Sequence, residues 1–145
     1  MALSERTQIT TICLSMLIVI VLYGSLRCKG DFVDPLTFSP LGAPWDKFVD
    51  GWGLSHFIFY GILGYLFPQK LIFISLVGIG WELTEMIFKD HPFYISKCKY
   101  VTSDNEPGWW YGRWQDIVMN TLGMVLGASI ATYGLDKSKE MKWAV

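Results

Sequence analysis

Charge is scarce in this chain, and so are the patterns that mark secreted or nucleic-acid-binding proteins. Asp, Glu, Lys and Arg make up 17% of the 145 residues and nearly cancel, to a net charge of -1. So balanced a chain offers no electrostatic footprint for nucleic acid, and none is expected as a partner. The three cysteines, Cys13, Cys28 and Cys98, form neither a metal-ligand spacing nor a disulfide framework. Cys13 is expected to be buried in the first apolar segment. Cys28 and Cys98 fall in loops on one side, as two free thiols or, where that side is oxidising, as a disulfide. No Asn-x-Ser/Thr acceptor, internal repeat or low-complexity tract is present.

What is abundant is apolar and aromatic. Hydrophobic residues reach 52%, with a mean hydropathy of +0.33, more than a soluble domain needs. Seven Trp and seven Tyr contribute to an aromatic content of 16%. Many of these rings (Tyr23, Trp45, Trp52, Trp109, Trp110, Trp114, Tyr133, Trp143) fall near expected helix ends, where amphipathic rings mark a bilayer interface.

Four apolar segments are expected as spans, at about 8–26, 52–67, 71–88 and 113–133. The first is uncharged and long enough for the roughly 30 Å hydrocarbon layer. Its length, and the lack of a small-x-small site after it, favour an uncleaved helix over a signal peptide. A loop at 30–49 is punctuated by Pro35, Pro40, Gly42 and Pro44, Pro68 ends the second span, and Lys89–Gly112 forms a long polar loop. A short basic tail holds Lys137, Lys139 and Lys142.

Lipid admits only helices and closed barrels, and these runs are too long and too unalternating for barrel strands. The expected fold is therefore all-α: one membrane domain over 1–145, an up-down bundle of about four transmembrane helices, integral and multi-pass. Seven Lys and Arg lie in the loops after the first and third spans and five on the opposite side. That count favours termini that are outside or lumenal, although the basic tail works against it.

Within these apolar segments sit Glu82, Glu85, Asp116 and Asn120. A carboxylate at the centre of a bilayer costs about 2.5–3.5 kcal/mol on insertion scales, so such residues face a cavity, a partner or an ion. Their spacings put Glu82 with Glu85, and Asp116 with Asn120, on one helix face each. Alternating helix direction brings the start of the second span, the end of the third and the start of the fourth to one membrane face. Ser55 and His56, Glu82 and Glu85, then Arg113, Asp116 and Asn120 occupy those three ends.

Blander readings stand beside this one. His56 with Tyr60 can be an interfacial pair, Glu82 with Arg113 a structural ion bridge, and Gly123 with Gly127 a close-packing face. One Arg does not neutralise three carboxylates, however, so the remainder calls for protons, a cation or loop lysines. An oxygen-rich set without thiolates suits Ca²⁺, Mn²⁺ or Mg²⁺.

The strings SHFIFYGILG (55–64), WELTEMIF (81–88) and GRWQDIVMNTLG (112–123) resemble the core of VanZ-like membrane proteins. They also resemble the membrane core of eukaryotic base-exchange phosphatidylserine synthases. The likeness covers about residues 50–127. The resemblance implies His56 as the base, Glu82 and Glu85 as the paired acidic residues, and Asp116 with Asn120 as the closing Asp and Asn. Glu85 follows the synthases where the VanZ-like pattern has Gln, and the Asp116–Asn120 spacing follows the VanZ-like pattern. Tyr111 stands where the synthases have an acidic residue, the preceding loop is about ten residues longer, and the further spans of a full synthase are lacking. These departures put serine exchange itself in doubt and leave the shared core.

The expected activity is metal-assisted exchange or hydrolysis of a phospholipid or lipid-linked head group. Glu82, Glu85, Asp116 and Asn120 are expected to hold a divalent cation, His56 to act as base and Arg113 to steady the phosphate. Ser55 and Tyr60 are expected to line the substrate site. Membrane lipids and a small polar alcohol such as serine are the expected partners, and a homodimer through the Gly123/Gly127 face is a further expectation. The alternative is a non-catalytic binder that sequesters an amphipathic ligand in the same cavity.

Overall fold

The computed structural model describes residues 4–27, 35–46, 48–88 and 112–143. Among them are four α-helices and no strand: α1 (Glu5–Arg27), α2 (Gly51–Leu66), α3 (Leu71–Phe88) and α4 (Trp114–Trp143), with a 3-10 turn at Pro35–Thr37 before α2. The all-helical class is as expected. Two of the helices are long and apolar enough to cross a membrane, over Glu5–Leu22 and Trp114–Gly134. The Cys28/Cys98 pairing, most of the 89–112 loop, and Trp109, Trp110 and Tyr111 lie outside the described residues.

Helix boundaries follow local chemistry. Ser4 opens α1, its Oγ accepting the Thr7 amide at 3.2 Å. Asp50 caps α2, its Oδ1 accepting the Gly53 amide at 2.6 Å, which satisfies one of the donors a helix start leaves over. Pro68 follows the last residues of α2, as expected of a residue without an amide hydrogen. α4 extends about ten residues beyond its expected end near Tyr133. The stretch after Gly134 is polar but rich in helix formers (Leu, Lys, Glu, Met) and free of Pro, so the helix outlasts its apolar run.

By internal contacts the chain divides into two compact units, Met1–Pro35 with Gly80–Arg113, and Leu36–Ile79 with Trp114–Val145. The first holds α1 and the C-terminal part of α3. Among the described side chains of α1, Ile12 and Met16, one turn apart, are buried. Cys13, expected to be buried, is exposed on α1. It lies about 100° round the helix from Ile12, off the narrow buried stripe.

The second unit holds α2, the start of α3 and α4. Its core is a close crossing of α2 and α4 made by glycine. A Cβ on Gly123 would overlap the Phe57 carbonyl oxygen, one on Gly127 that of Gly61, and one on Gly64 that of Met124. Backbones touch directly, the use of small residues that membrane helix pairs favour. The Gly123/Gly127 face, expected to serve close packing or self-association, thus packs on α2 of the same chain. The start of α3 joins them: Ser75 Oγ approaches Met124 Sδ at 3.6 Å, and the Tyr60 hydroxyl lies where a Cβ on Gly78 would stand.

Candidate functional site

The crossing of α2 and α4 has a chemical consequence. Because Gly123 meets the backbone at Phe57, His56, one position before Phe57, and Asn120, three positions before Gly123, also come together. His56 Nδ1 and Asn120 Oδ1 lie 2.8 Å apart. An amide oxygen can only accept, so with this pairing the imidazole hydrogen sits on Nδ1 and Nε2 carries the lone pair. Asn120 is buried and His56 half-buried, so the bond is sheltered while the ring keeps some access. The ring is flanked along its own helix by Trp52, 6.5 Å between centroids, and by Tyr60, nearly parallel at 6.4 Å.

Asp116 is buried one turn before Asn120. It lies in the first turn of α4, where a negative charge faces the positive end of the helix dipole. That position lowers the cost of the carboxylate without any ligand. Asn120 also lines a cavity of about 10 Å³ with Tyr60, Ser75 and Thr121. Such a volume is at the lower limit for a single water.

The structure therefore brings together His56 and Asn120, with Asp116 on the same face of α4. Asn120 Oδ1, expected as a cation ligand, accepts from His56. Ser55, expected at the substrate, turns its hydroxyl back to the Trp52 carbonyl at 2.8 Å. Tyr60, expected there too, is buried against Gly78.

Glu82 and Glu85 belong to the other unit. Both are buried, Glu82 with no exposed surface at all. Trp81 Nε1 donates to Glu85 Oε1 at 2.8 Å. Sequence reasoning passed over Trp81, yet the signal was present: an indole N–H four residues before a carboxylate shares its helix face. Gly112 lies against the Glu82 turn, where a Cβ would overlap the Glu82 carbonyl oxygen and approach Met86 Cγ at 2.8 Å. Only glycine lets the chain come this close before Arg113 follows. Asp50 was the other omission, a buried carboxylate whose role as the α2 cap is signalled by its place just before an apolar run.

Among the described residues, no three His, Cys, Asp or Glu are grouped so as to hold a metal ion. The chain matches no protein-family model, no curated protein and no solved structure with which it was compared.

Proposed function

We propose that this chain is a multi-pass membrane protein whose α2–α4 site performs exchange or hydrolysis on the head group of a phospholipid or lipid-linked molecule. The observation that carries the reading is the His56–Asn120 bond: a histidine fixed in one tautomer by a buried amide, inside a helix pair with an apolar exterior.

The distribution of side chains supports the membrane. Large apolar residues are exposed on every helix: Leu14, Ile18 and Leu22 on α1, Ile58 and Ile62 on α2, Ile72, Leu76 and Ile87 on α3, Leu122, Leu126 and Ile130 on α4. The buried side chains include Asp50, Glu82, Glu85, Asp116 and Asn120. Water would reverse that pattern, since exposed apolar patches of this extent otherwise mark interfaces. Four spans satisfy it.

In the proposed reaction His56 Nε2 takes the proton of an incoming water or alcohol hydroxyl. Its oxygen forms a bond to the lipid phosphorus, the bond from phosphorus to the departing alcohol breaks, and the imidazolium returns the proton to that alcohol. Asn120 holds the ring through Nδ1 and so keeps Nε2 as the base. The resemblance to VanZ-like proteins and base-exchange synthases supports the same assignment of His56.

For the unit that carries Glu82, Glu85 and Arg113, we propose binding of a divalent cation by the two carboxylates and contact of Arg113 with a phosphate. No third carboxylate, His or Cys is grouped with that pair among the described residues. Ligand oxygens from outside the chain would complete the coordination, and no step is routed through the ion.

The test is turnover of head-group-labelled phospholipid by purified protein in vesicles, across the common head groups, with and without Ca²⁺ or Mn²⁺. Release or exchange of label that is lost in His56→Ala supports the reading. Equal absence of turnover in wild type and variant, with ligand binding intact, would leave the sequestration function in its place.

A further inference from the structure

The segment before α2 is built for a low-water environment, although its prolines and glycine read as an ordinary loop. From Pro35 to Trp45 it carries no charged residue. Its large side chains point outward: Phe38 is 52% exposed, Leu41 49% and Trp45 58%. A loop in water of this length, presenting three large apolar groups and no charge, is poorly matched to its solvent.

Its backbone is equally adapted. Pro35, Pro40 and Pro44 remove three amide donors. Of the polar groups that remain, the Phe38 carbonyl accepts the Gly51 amide at 2.9 Å and the Gly42 carbonyl accepts the Trp45 amide at 3.1 Å. The Leu41 carbonyl accepts from Ser39 Oγ at 2.9 Å. These contacts take up three of the segment's carbonyls internally, the kind of pairing that backbone near hydrocarbon favours.

The segment is also fixed to the helix ends rather than hanging from them. Trp45 approaches Phe48 at 6.3 Å between centroids, and Phe48 meets Trp114 of α4 edge-to-face at 5.2 Å. Phe38 packs beside Gly51, where a Cβ would stand 2.7 Å from its ring. Phe38, Leu41, Trp45 and Trp114 are exposed, as are Ile58 and Ile62 on α2 and Leu122 and Leu126 on α4.

Helix length gives an independent reason. The 16 residues of α2 rise about 24 Å, short of a hydrocarbon core of about 30 Å. Something apolar has to fill the difference.

From these observations we infer that residues 35–45 lie within the head-group layer of the bilayer, with Phe38, Leu41 and Trp45 inserted among phospholipid acyl chains. The inference rests on the membrane reading above and deepens it. It sets the outer edge of the site, since His56 lies five residues into α2 from Gly51, a rise of about 7.5 Å.

Spin labels test it in the full chain, with Cys13, Cys28 and Cys98 replaced by Ser or Ala and the protein reconstituted in phosphatidylcholine vesicles. Single labels go at Leu41→Cys, Trp45→Cys and, as the reference for the membrane, Ile62→Cys on α2. All three positions are exposed, and the Leu41 label leaves the Trp45–Phe48 ring contact in place. Collision rates with oxygen and with the water-soluble nickel chelate NiEDDA are then compared. Oxygen collisions exceeding nickel collisions at Leu41 and Trp45, as at Ile62, is the expected result. A nickel-accessible Leu41 beside an oxygen-accessible Ile62 overturns the inference while the membrane reading stands. So does a Leu41 label shielded from both reagents, which would mean that protein covers the segment. Nickel access at Ile62 itself overturns the membrane reading and this inference with it.

Discussion

His56 Nδ1 and Asn120 Oδ1 meet at 2.8 Å although 64 positions separate them in the chain. The bond exists because Gly61, Gly64, Gly123 and Gly127 let two helix backbones touch. It ties the catalytic proposal to the packing of α2 on α4, so the two can be perturbed separately.

Replacing Asn120 by Leu removes the acceptor and keeps the volume. Turnover of labelled phospholipid is expected to fall less than in His56→Ala, where loss of a general base costs about 10²–10⁴-fold. Asn120→Leu is expected to lower kcat with little change in KM, because the amide orients the base and does not bind substrate. An unchanged kcat would remove Asn120 from the mechanism.

Adding a methyl group at Gly127 tests the crossing. Gly127→Ala would drive a Cβ into the Gly61 carbonyl, and overpacking of this kind costs about 1–3 kcal/mol. Thermal unfolding in detergent should show a lower Tm than wild type. Gly134→Ala, where a Cβ meets nothing within 4 Å, serves as the control.

Trp81→Phe keeps a ring and deletes the N–H that reaches Glu85. A hydrogen bond contributes about 0.5–1.5 kcal/mol net, so Tm should fall by an amount that Trp81→Phe in a Glu85→Leu background, which has no acceptor, does not repeat. Additive losses in that double-mutant cycle would show that the two side chains are not coupled.

Cation binding at Glu82 and Glu85 predicts stabilisation by mass action, about 2.7 kcal/mol when free ion exceeds Kd 100-fold. Tm is expected to rise with Ca²⁺ or Mn²⁺ in the presence of phospholipid and not to rise in Glu82→Gln/Glu85→Gln. A rise of the same size in the double variant would place the ion elsewhere.

Much of this architecture is legible in the sequence. α3 begins at Leu71 and ends at Phe88 as expected, because Pro68 and Lys70 stop one apolar run and Lys89 stops the next. The meeting of His56 with Asn120 follows from alternating helix direction and the Asp116–Asn120 spacing. Other features were hidden for physical reasons. The apolar and polar faces of α1 are only weakly distinguished, so the sequence does not tell which side Cys13 takes. The polar end of α4 reads as a tail because apolar content was used to mark the helix, although helix propensity continues past Tyr133. That the Ser55 hydroxyl turns to its own helix and the Tyr60 hydroxyl lies against Gly78 depends on rotamers and packing that sequence spacing does not carry.

The tautomer of His56 is the most direct measurement. In bilayers, ¹⁵N NMR of a ¹⁵N-histidine-labelled His91→Gln protein observes this ring alone. The account predicts that the neutral ring carries its hydrogen on Nδ1, with the tautomer population shifting in Asn120→Leu. Hydrogen on Nε2 in the wild-type protein, unaltered by the Asn120 substitution, would contradict it.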